Sequence, residues 1–457
     1  MLRAVGLLPA LVWGVVAAFW RPRGPIFAYE ALIIIAISIA VGVVAGRVYR
    51  SRAAIVWAPV LFAAAGEVTR VGFSGPTVDY PRTTYVGVLA LIVGRGFYAL
   101  LTLLPMGVGA AYGAGSTRRS RSGWRFAGQF LAGLLALVVV AIAVVVALPG
   151  RVAPITGGVS ELAYAGKLGL MIRGARPDLP VLLFVPDLPG GSELAAMRDR
   201  LGALEQRFLV ATMDRRGGGR SFGDLDPTPT FTVDDETHNV LAAADYLRAR
   251  FRQDKIYLVA HGGGTVPATL AAQEQPTDFL AYVGVAQVAN PAASDRGQYD
   301  DTLAWARSHD TGLAARLTRV GPPPYSSIYG YEPMLLNEDR VYRSDNDAAL
   351  VADARAPELS TLEKIHVLSG FLDSFDAFYP RTRAVDFKTQ VPALSVPVYF
   401  VSGDREVPAR VRDLGLWFSV LQAPHKENVT LKNAGHRSMF DQPGQFAALM
   451  ARVVAGS

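Results

Sequence analysis

Apolar residues run almost unbroken through the first 150 positions and then give way to short alternating clusters. Five runs stand out: Leu2–Trp20, Phe27–Gly46, Ala53–Ala65, a stretch within Tyr85–Ala114, and Phe126–Pro149. Each long run approaches the roughly 20 apolar residues that a helix needs to span a bilayer. Ala53–Ala65 is short, and predicts a tilted or re-entrant segment or one extended through Gly66–Thr69. Leu2–Trp20, followed by Arg21 and Arg23, has the outline of a signal peptide. Further runs follow at once and no convincing small-residue cleavage site separates them, so a retained helix is expected. The pattern predicts an α-helical membrane module of four to five spans over residues 1–150.

From residue 160 the period shortens. Lys167–Arg173 and Val181–Val185 read as neighbouring strands joined by the turn Gly174–Pro180, and Ser192–Leu204 as a helix with Ser192 as its N-cap. Arg207–Met213, Lys255–Ala260, Ala281–Val288, Val396–Ser402 and Asn428–Leu431 read as buried strands. Thr232–Phe251 carries Val233, Val240, Leu241, Ala244, Leu247 and Phe251 on one helical face. Strands alternating with amphipathic helices predict a mostly parallel, doubly wound sheet covered on both faces. Residues 289–394 show helical stretches and the rigid Gly321-Pro322-Pro323-Pro324-Tyr325, as expected of a helical cap over the C-terminal edge of the sheet. The domain reading is therefore 1–150 membrane module, 151–288 and 395–457 α/β core, 289–394 cap.

Charge bears on topology. The net charge of +6 is carried by arginine far more than by lysine, and much of the excess flanks the apolar runs. Arg118, Arg119, Arg121 and Arg125 crowd the entry to the last run, whereas its exit has Arg151 and then turns neutral. By the positive-inside rule the cluster stays cytoplasmic and the C-terminal domain is extracytoplasmic; Arg21 and Arg23 disagree. Arg95 lies inside or near the fourth run. It either snorkels to the interface or marks a functional site with Glu30 or Glu67 as partner. No basic stripe with interleaved aromatics occurs, which speaks against a nucleic-acid partner. The absence of cysteine excludes disulfides, thiol catalysis and cysteine-based zinc sites.

Four landmarks carry chemistry. Val181-Leu-Leu-Phe-Val-Pro-Asp-Leu-Pro-Gly-Gly191 is a strand followed by a turn. Asp214-Arg-Arg-Gly-Gly-Gly-Arg-Ser221 is a glycine-rich loop, read as structural: its glycines allow a tight turn and Asp214 ties down backbone amides. Lys255-Ile-Tyr-Leu-Val-Ala-His-Gly-Gly-Gly-Thr-Val266 is a strand–turn–helix, and Asn433-Ala-Gly-His-Arg437 follows the last strand. Together these resemble the α/β-hydrolase superfamily, in its proline-iminopeptidase-like branch, over residues 160–457. The resemblance implies a nucleophile elbow of the form Gly-x-Ser-x-Gly at Ala260–Gly264. Gly262 stands where the serine belongs, and a glycine supplies no oxygen for acyl transfer. Thr265 and His261 are poor substitutes by turn geometry. The resemblance also implies a His-Gly-Gly oxyanion loop where this chain has Pro186, Asp187 and Leu188; Pro189 and Gly190 do match. Gly263 would give one oxyanion amide, while Leu188 adds bulk and the Asp187 carboxylate would oppose an oxyanion. The resemblance further implies an acid in Gly403-Asp-Arg-Glu-Val-Pro408, where the family's spacing selects Glu406 with Asp404 as runner-up, and a base at His436 in Asn433-Ala-Gly-His-Arg437.

His238, His261, His309, His366 and His425 have no ligand-like spacing with carboxylates, so neither a metal nor a cofactor is expected. Two losses, of nucleophile and of oxyanion loop, favour a membrane-anchored pseudohydrolase that binds a small-molecule or peptide ligand under the cap, with the lipid bilayer as its other partner. The alternatives are an active aminopeptidase or esterase in which Glu406 and His436 work by non-standard chemistry, and transport or signalling by the membrane bundle around Arg95.

Overall fold

The structure is a computed structural model that describes residues 5–71, 82–116, 123–188, 191–343 and 355–456. The chain divides into two compact units, one formed essentially by residues up to 150 and the other by those from 151 onward.

The first unit is helical: Leu8–Trp20, Ala28–Tyr49, Ala54–Arg70, Tyr85–Leu91 continuing through a π-helical turn at Ile92–Gly96 into Phe97–Ser116, and Gly123–Ala147. The third helix takes the extended form and reaches Arg70 rather than stopping at Ala65. Ala28–Tyr49, Tyr85–Gly115 and Ala127–Ala147 are long and apolar enough to cross a membrane. Leu8–Trp20 has 13 residues, short of the ~20 a span needs. Small residues let these helices approach closely: a Cβ on Gly42 or Gly46 would fall 2.1 or 2.2 Å from the carbonyl of Met106 or Ala110. Glu30 pairs with Arg21, so it is Glu67 that lies near Arg95, at 3.7 Å. Arg118, Arg119 and Arg121, on which the orientation rests, lie outside the described residues, as does most of the Val71–Thr84 loop.

The second unit is built on an eight-stranded sheet in the order β1-β2-β4-β3-β5-β6-β7-β8. The strands are β1 Val159–Ala165, β2 Leu168–Gly174, β3 Val181–Val185, β4 Leu209–Met213, β5 Ile256–His261, β6 Phe279–Val285, β7 Val398–Gly403 and β8 Lys426–Leu431. β1, β2 and β4 pair antiparallel and the other neighbours pair parallel, so the sheet is mixed. Two expectations need correction. β2 and β3 are not neighbours, because the crossover from β3 through the helix Leu194–Leu201 delivers β4 between them. Ser192 is buried and caps nothing, since the helix starts two residues later with Glu193 at its N-cap position. β1 escaped the sequence reading because half-buried positions fill most of it and blur the alternation that marks an edge strand.

Both faces of the parallel part are covered, as continuous apolar strands require. Val181, Leu183 and Val185 of β3 enter the core on one face, with Phe400 and Trp417, while Leu182 and Phe184 enter the other with Phe208 and Phe446. The helix Val233–Phe251 is started by Thr232, whose hydroxyl accepts from the Asp235 amide in a capping box. The 289–394 segment is helical in its described parts, including Pro291–His309, Thr311–Val320, Ile328–Leu335 and Thr361–Phe378.

Candidate active site

Strand register explains how the site is assembled. β3 and β5 are parallel neighbours with Val185 opposite Ala260, so the residues two beyond that pair, Asp187 and Gly262, come to the same level. The chain leaves β5 through Gly262 at φ +50°, the left-handed turn that an elbow needs and that glycine adopts freely. The β3 loop is packed hard against it. A Cβ on Gly263 would lie 2.4 Å from the Leu188 side chain, and one on Gly264 only 2.2 Å from the Pro186 carbonyl. The three glycines are there because another loop occupies the space of their side chains.

At Gly262 that occupant is a carboxylate. An added Cβ would stand 1.9 Å from Oδ1 of Asp187. Oδ1 accepts the Gly263 amide at 2.6 Å and Oδ2 lies 3.0 Å from Nε2 of His436. On the other side of the imidazole, Nδ1 is 2.8 Å from Oε2 of Glu406. The structure thus brings together Gly262, Gly263, Asp187, Glu406 and His436 from four strand ends. Asp404 is not part of this line: its carboxylate accepts the Ala434 amide at 3.1 Å and stitches the β7 loop to the histidine loop. Thr265 is occupied, donating to the Gly262 carbonyl and accepting from the Val288 amide. Pro189 and Gly190, which matched the oxyanion-loop pattern, lie outside the described residues.

The charges lock one another. Burial alone would drive His436 toward neutrality, but Glu406 and Asp187 on either side outweigh it and the nearby Arg410, and its pKa rises to about 10. Burial would raise both carboxylates; instead the facing imidazolium, with help from Arg410 and the Val407 amide, brings Glu406 down to about 2. The same imidazolium, with His261 and the Gly263 amide, holds Asp187 well below the ordinary carboxylate range. At neutral pH the line is carboxylate, imidazolium, carboxylate. Asp187 and His436 keep 22% and 14% of their side-chain surface exposed, so water reaches the pair.

Supporting groups escaped the sequence reading. Glu193 accepts from Nδ1 of His261 at 3.0 Å and from the Asp187 amide at 3.2 Å, fixing the β3 loop from behind. Nε2 of His261 lies 3.1 Å from the His436 carbonyl, so this histidine braces both loops. Arg410 lies 3.0 Å from Glu406 and 3.3 Å from Gln298 of the helix Pro291–His309. Glu193 and Arg410 stand in no motif, only near one in sequence, and His261 stands in the elbow motif at a position whose residue type the motif leaves open. The spacing argument also missed that Asp187, His261 and His436 converge, with ligand atoms all within 4.8 Å. In this arrangement each of those atoms faces a hydrogen-bond partner of the protein.

The glycine-rich loop is structural, as read. Asp214 is buried, its Oδ2 accepts the Arg220 amide at 2.9 Å, and Ser221 ties the Asp214 carbonyl to the Gly169 amide. Burial lifts the Asp214 carboxyl to about 6.

Comparison with known proteins agrees with this architecture. A family model for the alpha/beta hydrolase fold matches residues 180–315. The probable aminopeptidase YbaC of Bacillus subtilis is 27% identical over 292 residues, which are 62% of this chain and 91% of that protein. Among solved structures, a hydrolase from Pseudomonas aeruginosa aligns at 16% identity over 65% of this chain and 98% of its own, with a TM-score of 0.44. The 2-hydroxy-6-oxo-6-phenylhexa-2,4-dienoate hydrolase of Rhodococcus sp. strain RHA1 aligns at 16% identity over 67% and 100%, with a TM-score of 0.47. The C-terminal unit of this chain has the α/β-hydrolase fold.

Proposed function

We propose that the chain is a membrane-anchored hydrolase whose nucleophile is the carboxylate of Asp187, supplied by the β3 loop to the seat left empty at Gly262. The observation that carries this reading is the fit between the two: a side-chain atom at 262 would lie 1.9 Å from Oδ1 of Asp187. Substitution of the serine and substitution of the oxyanion loop then become one exchange rather than two losses. The likeness to an aminopeptidase-named relative favours descent from a serine enzyme of the proline-iminopeptidase type.

The chemistry follows from the nucleophile. A carboxylate attacking an acyl carbon yields an anhydride, which is less stable than the starting amide or ester. Attack on an sp3 carbon yields an ordinary ester, so the suited substrates are alkyl electrophiles such as strained cyclic ethers. Oδ2 of Asp187 forms a bond to carbon while the bond to the leaving group breaks with its electron pair. His436 gives the departing atom the proton from Nε2. The aspartyl ester is neutral. Opposite charges 3.0 Å apart attract by about 5 kcal/mol at an effective dielectric of about 20, so losing one removes most of what held His436 protonated. The neutral imidazole, oriented by Glu406, then takes a proton from water as hydroxide adds to the Asp187 carbonyl carbon. Oδ1 carries the developing charge on the Gly263 amide. Collapse expels the alkoxide, which takes the carboxylic proton, restoring Asp187 and His436. The sum is substrate plus water giving an alcohol and a protonated leaving group.

A second reading has its own support. Asp187 consumes the Gly263 amide that acyl transfer would use, which suits a pseudohydrolase in which the ion line is a lock under a ligand-binding cap. His436→Gln separates the two readings. With 4-nitrostyrene oxide, whose ring strain allows opening with water in place of His436 as the proton donor, it should accumulate an ester on Asp187, visible as one added substrate mass on that peptide. Absence of the adduct, with no turnover by the native protein, would favour the lock.

A further inference from the structure

We propose that the helical unit holds a binding site for an anionic amphiphile, a phosphate or carboxylate head on an acyl chain, in the cavity between the helices Leu8–Trp20, Ala54–Arg70 and Phe97–Ser116. This does not rest on the hydrolase reading. The cavity measures ≈ 140 Å³. Its walls are apolar over most of their extent, with Ala18, Phe62, Ala99 and Leu103, and its polar end is formed by Arg70, Arg95, Tyr98 and Glu67.

Three features of that end point to a ligand. Nε of Arg70 and the hydroxyl of Tyr98 are buried without a hydrogen-bond partner among the described residues. Both side chains are about nine-tenths buried, and the Arg70 guanidinium stacks on the Tyr98 ring. Donors left unpaired in an apolar setting are costly, and an acceptor atom between them would remove the cost. The charge is also unbalanced, since Arg70 and Arg95 share one carboxylate, that of Glu67, at 3.0 and 3.7 Å. Glu67 keeps 59% of its side-chain surface exposed, so it closes the outer side and leaves the inner donors open. Finally, Arg95 sits in the π-helical turn Ile92–Gly96, a distortion of regular helices that is frequent at functional sites.

An apolar cleft ending in two cations and a phenol matches a single negative head with a chain behind it. A bare anion would satisfy the donors but leave the apolar walls unfilled. The full chain in phosphatidylcholine nanodiscs doped with phosphatidylglycerol should retain bound phosphatidylglycerol after detergent extraction, read by native mass spectrometry. Nanodiscs doped with oleate test whether a free fatty acid serves as well, and inorganic phosphate in undoped nanodiscs tests the head alone. Retention of either amphiphile should fall at least about tenfold in R70Q/R95Q, the scale of one lost charge-assisted contact. Ala99→Phe keeps every charge and fills the cavity, and should abolish retention as well, which covers the case in which the arginine variant misfolds. Phosphate binding as strong as amphiphile binding, or amphiphile retention unchanged in Ala99→Phe, would overturn the proposal.

Discussion

Placing a serine at Gly262 would ordinarily be the first attempt at restoring an α/β hydrolase, and here it should damage the protein. The new Cβ would fall 1.9 Å from Oδ1 and 2.3 Å from Cγ of Asp187, so the carboxylate must leave. Leaving breaks its bonds to the Gly263 amide and to His436. Hydrogen bonds to a charged group contribute about 1.5–3 kcal/mol each, and a side chain held at positive φ adds about 1–2 kcal/mol of strain. Asp187 is partly exposed and recovers some solvation, so Gly262→Ser should destabilise the C-terminal unit by about 3–5 kcal/mol. Asp187→Gly made together with Gly262→Ser removes the clash and opens the Gly263 amide. The double variant loses the same two bonds and keeps the strain, so it should be about as stable as Gly262→Ser rather than showing the sum of the two single losses, a coupling of at least about 2 kcal/mol in the cycle. Thermal unfolding of the four proteins in detergent gives the cycle. Fluorophosphonate labelling gives the chemistry: the double variant should label, the native protein and the serine single variant should not. Additive stabilities, or a serine variant as stable as the native chain, would refute the claim that Asp187 fills the seat at Gly262.

Asp187→Asn removes one of the two charges facing His436, so the histidine pKa, about 10 in the native site, should fall by at least about two units in an NMR titration; an unchanged value would mean Glu406 alone sets it. Because the folded value lies above the unfolded one, the stabilisation from His436 is complete below about 6.5 and is lost as pH rises through about 10. Glu406 acts in the opposite sense: its folded value of about 2 gives stabilisation that is complete above about 4.5 and lost as pH falls toward 2. Native stability should therefore decline on the alkaline side in a way that His436→Gln abolishes. Orientation is testable without background, because the chain has no cysteine: Ser419→Cys, on an exposed helical position, should react with an impermeant maleimide in intact cells, and labelling only after lysis would reverse the topology drawn from the arginine flanks.

Much of the architecture was written in the hydrophobic pattern. Strands such as β3 and β5, buried on both faces, announce themselves as continuous apolar runs, and the family resemblance then placed Gly262, Glu406 and His436 in the loops where such runs end. Edge strand β1 was invisible because half-burial weakens alternation, and the β2–β4 pairing was invisible because strand order is a long-range choice that local pattern does not encode. At the site, Gly262 and Asp187 each read as a defect when taken alone. Their complementarity depends on β3 and β5 lying side by side in a particular register, a fact about pairing rather than about either segment. Glu193, Arg410 and His261 were missed for the same reason: they act by braced contacts across loops that lie far apart in sequence.

The central claim is that Asp187 forms and breaks a covalent bond during turnover, and isotope transfer reads this directly. A single turnover of 4-nitrostyrene oxide in H2(18)O by excess native enzyme should place heavy oxygen in the Asp187 carboxylate, because water attacks the ester at its carbonyl carbon. The product diol should take its oxygen from Asp187 in that first cycle and so remain light. Label appearing in the product at once, with the Asp187 peptide unchanged in mass, would contradict the account and make the carboxylate at most a base that activates water.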